Sequence, residues 1–430
     1  MDTLRLDPRN PREHSKRQIA QIAESIRAFG FNVPVLTDED NKIIAGHGRV
    51  LASQMLGITE IPTICLGHLS PEQVRAFIIA DNKLTENATW NEILLGEQLK
   101  SLSEIDLNFR LEATGFEMGE IDVLIEGLSQ PRDSAQSDPA DVLPDQSEIP
   151  VSAPGDLWQL GKHRVLCGDA LEPDSYDRLM MQQRAAVVFT NPPCSVPVDG
   201  HVSGLGEKQH RAFTTAGGEM SRSEFTDFFG RVCKRLVSVC RDGAIHFLCV
   251  DWRHVGELLA AGMDTYDELK NICVWVKDDA GTGSPYRTQH QLILVFTQGK
   301  QSRRNSAQLG QFGRRRSNVW QYSGANSISR GTAEGNLLNL HPTGKPVVLV
   351  ADAILDCSSR GDIVLDPFLG SGTTVIAAER TGRICYGIEI APARVDMAVR
   401  RWQRFTEMRA VHGESGRSFD ELEKEATNAR

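Results

Sequence analysis

The sequence predicts an α/β protein in two parts: a large sheet with helices on both faces, preceded by a small α+β domain. Three observations carry this. From about residue 157 onward, short apolar runs alternate with amphipathic helical stretches, the pattern of a parallel sheet covered on both sides. Residues 131–156 interrupt the chain with five Pro and six acidic residues against one Arg, the composition of an extended linker. The length, 430 residues, exceeds one ordinary core at roughly 100–200 residues per domain. The expected division is therefore 1–130, a Pro-rich acidic linker over 131–156, a second domain over 157–407, and a polar tail over 408–430.

Composition narrows the function classes. At 40% hydrophobic and 24% charged, the chain is globular, not fibrous or disordered. It has no apolar run of about 18 residues, so no membrane partner is expected. The opening MDTLRLDPRN lacks the apolar core of a signal peptide, and a cytoplasmic location is expected. Nine Cys are scattered without a CxxC pair or a zinc spacing, so no metal site is expected and the thiols suit a reducing compartment. The formal charge of −10, taken alone, argues against a nucleic-acid partner.

The elements follow in order. Ser15 to Phe29 has apolar residues at helical spacing and stops at Gly30. Val33–Thr37 and Lys42–Ala45 read as short strands about the turn Asp38–Asn41. Gly46-His47-Gly48-Arg49 opens a helix running from Val50 to Leu56, and Ile61–Cys65 is a strand. Residues 91–130 read as helices without an assigned place. In the larger part, Ala185–Thr190, Ala244–Val250, Asn271–Val276, Gln291–Phe296, Asp362–Leu365 and Ile384–Ile390 are strands. Ser221–Val239 (opening on the capping box Ser221-Arg-Ser-Glu224), Pro346–Cys357 and Thr373–Arg380 are helices.

The most informative stretch runs from Asp362 to Thr374. A buried strand ends in Asp366, passes Pro367, Phe368, Gly370, Ser371 and Gly372, and opens a helix at Thr373. The glycines let a ligand approach the backbone closely. About 20 residues on, the next strand ends in Glu389, an acid placed to meet ribose hydroxyls. No Lys follows the glycines, so this is not a phosphate-binding loop of the GxxxxGK type.

The loop Asp366-Pro-Phe-Leu-Gly-Ser-Gly-Thr-Thr374 resembles that of S-adenosylmethionine-dependent DNA amino-methyltransferases. His341-Pro-Thr-Gly-Lys345-Pro346 matches the HPTxKP motif of the same family, with 19 residues between it and Asp366. The resemblance implies a Rossmann-like methyltransferase sheet, S-adenosyl-L-methionine as cofactor, and double-stranded DNA as partner. It implies that the side of the motif holding His341 and Lys345 binds the methionine end of the cofactor, where a cation suits a free carboxylate. It also implies that Cys167-Gly-Asp169 lies near the cofactor adenine. The order of motifs is that of the permuted, β-type branch. A homodimer is left open, and a nucleoid-associated location in a bacterial-type cell or its phage follows from the same likeness.

In that family a [D/N/S]PP[Y/F/W] tetrapeptide at a strand end aligns the exocyclic amine of a flipped base with the methyl group. Here Asn191-Pro192-Pro193-Cys194 follows the strand Ala185–Thr190. Cys194 departs from the pattern, since an aromatic there would stack on the base for about 1–3 kcal/mol. The implied activity is methylation of an amine, adenine N6 in first place, with cytosine N4 sharing the chemistry. The alternative is a weakened or dead protein that binds DNA and cofactor. A cytosine carbon-5 enzyme using Cys194 as nucleophile is the third reading, but HPTxKP and the loop speak against it.

Residues 280–333 contain no Asp or Glu but carry Arg287, Lys300, Arg303, Arg304, Arg314, Arg315, Arg316 and Arg330, with Phe312, Trp320 and Tyr322 interleaved. This basic insertion is the expected target-recognition region, Arg forks being suited to phosphate and guanine. Asp251-Trp252-Arg253 stands at a strand end, beside the base pocket or as a structural ion pair. At the N-terminus, Asp7-Pro-Arg-Asn-Pro-Arg12, the first helix and Gly46-His47-Gly48-Arg49 resemble the ParB/sulfiredoxin-like domain over residues 1 to about 90. That likeness implies a phosphate or nucleic-acid box at Gly46–Arg49.

Overall fold

A computed structural model describes residues 1, 3–8, 10–105, 107–128, 138–144, 150–193, 221–278, 280, 286–299, 317–322 and 345–428. The chain forms two compact units, Met1–Gln130 and Pro131–Arg430.

In the first unit, α1 (Lys16–Phe29) is capped by Ser15, whose Oγ accepts from Gln18 N, and ends at Gly30 in the left-handed region. The strands β1 (Val35–Thr37), β2 (Ile43–Ala45) and β3 (Thr63–Cys65) form a sheet in the order β2-β1-β3, antiparallel between β1 and β2 and parallel between β1 and β3. Helix α2 (His47–Leu56) follows β2 directly, and Val50 joins Val35 and Ile43 in a small core. Helix α3 (Pro71–Glu86) starts with a full capping box at Ser70 and Gln73. Residues 91–128 form α4 (Glu92–Glu104) and α5 (Met118–Gly127), which share a core of Leu99, Leu111, Ile121 and Ile125.

The second unit is built on a ten-stranded sheet. Its strands are β4 (Leu157–Leu160), β5 (His163–Cys167), β6 (Ala185–Thr190), β7 (Cys240–Val250), β8 (Glu268–Val276), β9 (His290–Thr297), β10 (Val319–Gln321), β11 (Ile363–Asp366), β12 (Ile384–Glu389) and β13 (Val411–His412). Their order is β10-β8-β9-β7-β6-β11-β12-β5-β4-β13. The five central strands, β7-β6-β11-β12-β5, are mutually parallel.

Successive strand residues point to opposite faces, and the two cores show it. On one side Val187, Phe189, Phe247, Cys249 and Val364 pack with α9 (Val347–Leu355), α10 (Thr373–Thr381) and α11 (Pro392–Thr406). On the other, Val188, Leu248, Val250 and Leu365 pack with α6 (Pro173–Met180), α7 (Arg222–Val239) and α8 (Val255–Thr265). From β6 the chain runs through α7 to β7 on one side. From β11 it runs through α10 to β12 on the other. Strand order therefore reverses between β6 and β11, and the crevice beyond their carboxyl ends is where such sheets take ligands.

Four expectations need correction. The sheet is mixed, since β9 runs antiparallel to β7 and β8, and β4 runs antiparallel to β5 and β13. The 131–156 stretch is not linker throughout. Its acids find partners on later elements of the second unit: Asp138 with Arg380, Asp141 with Val347 N, and Asp156 with the His412 ring. The polar tail folds as β13 and α12 (Phe419–Asn428), because Phe419 is fully buried with its ring centroid 5.1 Å from that of Trp158. Trp320 and Tyr322, expected to interleave a nucleic-acid surface, belong to the core: Trp320 is 5% exposed on β10, and the Tyr322 hydroxyl donates to Asp352.

Candidate active site

The two signature segments meet at the reversal point. Asn191, Pro192 and Pro193 follow β6, and Asp366 ends β11, the strand beside it. Thr190 Oγ1 donates to Asp366 Oδ1 at 2.7 Å, Thr374 Oγ1 to Oδ2 at 2.6 Å, and Phe368 N to Oδ1 at 3.2 Å. Burial raises the Asp366 pKa, while these bonds and the charge of Lys345 oppose the rise. The carboxylate thus shapes the turn from strand to loop.

Glu389, at the end of β12, holds the other side of the loop. Its Oε2 accepts from Gly370 N at 2.9 Å and its Oε1 from Ala391 N at 3.0 Å. Gly372 stands at φ 81°, and a Cβ there would lie 2.7 Å from the Ala398 Cβ, so the turn into α10 needs glycine twice over. Cys167 pairs with Glu389 across β5 and β12, and Gly168 N donates to the Glu389 carbonyl. Asp169 therefore sits beside the Glu389 end, with its Oδ1 accepting from Leu171 N.

Lys345 is 8% exposed, and its buried Nζ has no hydrogen-bond partner among the described residues. A buried ammonium whose donors are left unmade is costly to keep dry. Its charge acts on Asp366 and on Lys277. The site thus holds a buried ammonium that feels the Asp366 carboxylate but has no hydrogen-bond partner among the described residues, beside a loop whose backbone lacks side chains at Gly370 and Gly372. That combination fits a ligand with a carboxylate and a nucleoside, which is the chemistry of S-adenosylmethionine.

Two residues escaped the sequence reading. Gln291, on β9, donates from Nε2 to Asn191 Oδ1 at 3.1 Å, although it lies 100 positions away. Lys277, just after β8, lies with its Nζ 4.9 Å from the Trp275 ring centroid. Burial first, then the charge of Lys345, lowers its pKa, while Asp251 opposes. Asp251 Oδ1 in turn accepts from Arg253 Nη1 at 3.1 Å, and the guanidinium lies 4.9 Å over the half-exposed Trp252 ring.

Other expected residues stand elsewhere. Cys194, His341, Arg303, Arg304, Arg314, Arg315 and Arg316 lie outside the described residues. Arg287 is exposed and donates to the Ala280 carbonyl at 3.0 Å. In the first unit, Gly46 has φ 103°, and Arg49 folds back over it to donate to the Pro34 carbonyl at 3.2 Å. His47 Nε2 accepts from Asp7 N at 3.3 Å, and burial lowers its pKa. The box expected to face phosphate thus turns both side chains inward, because the chain entering β1 and the Asp7 segment offer them partners.

A family model described as DNA methylase matches residues 185–400, half of the chain, and spans both signature segments. The chain belongs to this DNA methylase family. S-adenosylmethionine is the cofactor of these methylases, and DNA is the partner. A ParB N-terminal domain model matches residues 1–82, and a ParB-methyltransferase HTH domain model matches residues 93–154. The first unit of this methylase is accordingly ParB-like. It is similar to the ParB-like nuclease domain-containing protein YnaK of Escherichia coli (strain K12), at 53% identity over 64 residues, 15% of this chain and 74% of that protein. The chain is also similar to the type II methyltransferase M.ScaI of Streptomyces caespitosus, at 38% identity over 90 residues, 21% of this chain but only 29% of that enzyme. Among solved structures, the PvuII DNA methyltransferase (cytosine-N4-specific) covers 66% of this chain and 96% of its own, at 17% identity and a TM-score of 0.42.

Proposed function

We propose that this methylase transfers a methyl group to the exocyclic amine of a base flipped out of double-stranded DNA, adenine N6 in first place, in the cytoplasm. The observation that carries the reading is the buried ammonium of Lys345, with no hydrogen-bond partner among the described residues, beside the Asp366 loop and one strand from Asn191. Lys345, with His341 of the same motif, would hold the methionine carboxylate. Gly370, Ser371, Gly372 and Thr373 would carry the cofactor on the loop behind Pro367 and Phe368, Glu389 its ribose and Asp169 its adenine. Bound there, S-adenosylmethionine supplies an electrophilic methyl on a sulfonium.

The chain's own residues then have one task, to hold the amine in line. Asn191 Oδ1 and the Pro192 carbonyl accept its two N–H bonds, which turns the nitrogen lone pair away from the protein and toward the methyl. Asn191 keeps a lone pair for this, because Gln291 occupies only one side of Oδ1. Catalysis of this kind is positioning and preorganised electrostatics, and it asks for no side chain of unusual basicity. Pro193 stiffens the turn, and Cys194 leaves the base without the aromatic of the usual tetrapeptide. Trp252, half-exposed just beyond the end of the neighbouring strand β7, would be a candidate to stack instead once the Arg253 guanidinium leaves its ring. Arg287, Arg303, Arg304 and Arg314–Arg316 would contact the duplex, and Gly46–Arg49 would serve nucleic acid only through the helix start.

The test is incubation with tritiated cofactor and unmethylated plasmid DNA, followed by nucleoside chromatography. Label in N6-methyladenine is the expected result. Label in N4-methylcytosine would move the target base within the same chemistry. Label at cytosine carbon 5 would make Cys194 the nucleophile, and Cys194→Tyr would then abolish transfer rather than keep or raise it. No transfer with cofactor binding intact would overturn the reading in favour of a binding protein.

A further inference from the structure

The acidic stretch ahead of β4 ends in an unexpected place. Arg401, on α11, is 4% exposed and spreads its guanidinium between two segments. Nε and Nη2 donate to the Ala140 carbonyl at 3.1 and 2.8 Å. Nη1 donates to the Ser371 carbonyl at 3.2 Å and to Thr373 Oγ1 at 3.0 Å, both on the glycine loop. Asp141 lies 3.8 Å from Nη2 of the same guanidinium, and its Oδ1 accepts from Val347 N at 2.8 Å. Val347 opens α9 two residues after Lys345. No side chain of that helix's own N-cap, Pro346, closes its first turn, so Asp141 does so from far upstream. Asp138 anchors the strap by a two-point bond to Arg380 at 2.6 and 2.9 Å, and Ala140 is buried in the core.

We propose that residues 138–141 form a clamp that sets the distance between Lys345 and the glycine loop, with Asp141 and Arg401 as positioning residues for S-adenosylmethionine. The clamp rests on the cofactor site proposed above. The two cofactor segments are separate in sequence, and among the described residues Arg401 with Asp141 forms a buried polar junction reaching both. An anchor needed only for folding would be served as well by apolar contact, since buried ion pairs add little net stability. This one ends on backbone and hydroxyl groups that flank the cofactor. Arg401 stays charged at neutral pH, although burial lowers its pKa to about 10. The Asp141 carboxyl is raised by burial, against the pull of the Val347 amide and Arg401.

The experiment uses the full-length chain and measures S-adenosylmethionine binding by calorimetry without DNA, then methyl-transfer kinetics. Asp141→Asn keeps the shape and removes the charge. Arg401→Lys keeps the charge and loses the fork. Both should weaken cofactor binding about 10- to 100-fold, the scale of a charged hydrogen bond. The kcat at saturating cofactor and the KM for DNA should stay within about twofold of the parent, at the scale of experimental spread for untouched contacts. Arg178→Ala, at the surface pair with Glu414, serves as the control and should change neither. Unchanged cofactor affinity with a lowered melting temperature would make the network structural and overturn the clamp. A parent protein that does not bind the cofactor would overturn the site reading itself. If Arg401→Lys fails to fold, Asp141→Asn and Asp138→Asn decide the matter.

Discussion

Asn191 can present its oxygen to an amine only if something fixes which way its amide faces. Gln291 does this, and the direction of its bond matters, because Nε2 is a donor and Oδ1 is left as the acceptor. Gln291→Leu removes the bond and should lower kcat about tenfold, the worth of one hydrogen bond at roughly 1–1.5 kcal/mol, with cofactor affinity unchanged. Gln291→Glu should cost more, since a carboxylate there accepts and would turn the Asn191 NH2 toward it, leaving no acceptor in place. Initial rates at saturating cofactor separate the two, and equal rates in parent and Gln291→Glu would remove Gln291 from the site. The difference in legibility between these neighbours is physical. Asn191 stands out because Pro-Pro after an apolar strand marks a rigid turn. Gln291 opens an ordinary apolar run, and only the antiparallel pairing of β9 beside β7 brings it to Asn191. Lys345 is legible by its motif, but the absence of a hydrogen-bond partner at its Nζ among the described residues is a fact of packing alone.

At the scale of elements, what the sequence hid was direction and docking. The runs that became β7, β8 and β9 are all apolar, and periodicity is the same for parallel and antiparallel strands, so their mixed order was invisible. The segments at 138–144 and 408–428 are hard to read from composition for another reason. Each is polar on average but carries a few residues whose partners lie far off: Asp138 and Asp141 in one, Phe419 in the other. Phe419 packs its ring edge-on against Trp158, lies 5.3 Å from the Arg400 guanidinium, and opens α12. Trp158 is itself pinned, donating from Nε1 to Ser152 Oγ, which donates to Asp396. Phe419→Ala should therefore destabilise the second unit by about 3–5 kcal/mol, the range for a fully buried Phe. Thermal melting followed by circular dichroism reads this directly. A shift no larger than that of an exposed control such as Val411→Ala would return 408–430 to the status of a dispensable tail.

For the whole molecule, net charge and charge placement point in opposite directions. At −10 the chain as a whole repels DNA, yet residues 280–333 hold eight Lys and Arg and no acid. Some acids are paired locally with arginines of the second unit, as Asp138 with Arg380 and Asp362 with Arg241 show. Mean charge then governs solubility, while the local field governs which partner approaches and how fast. The HTH match over 93–154 adds a second place where DNA contact is expected in the same chain. Salt separates phosphate contacts from everything else, because each one neutralised releases counter-ions. If Arg314, Arg315 and Arg316 each meet a phosphate, changing all three to Ser should reduce the slope of log K against log salt by about 2.7, at roughly 0.9 per contact. The loss of affinity should then be large at low salt and shrink as salt rises. A parallel downward shift, with the slope intact, would mean that these arginines act on bases or on the fold. An unchanged curve would move the phosphate-binding surface elsewhere in the chain, and the same titration on variants of the 93–154 segment would locate it.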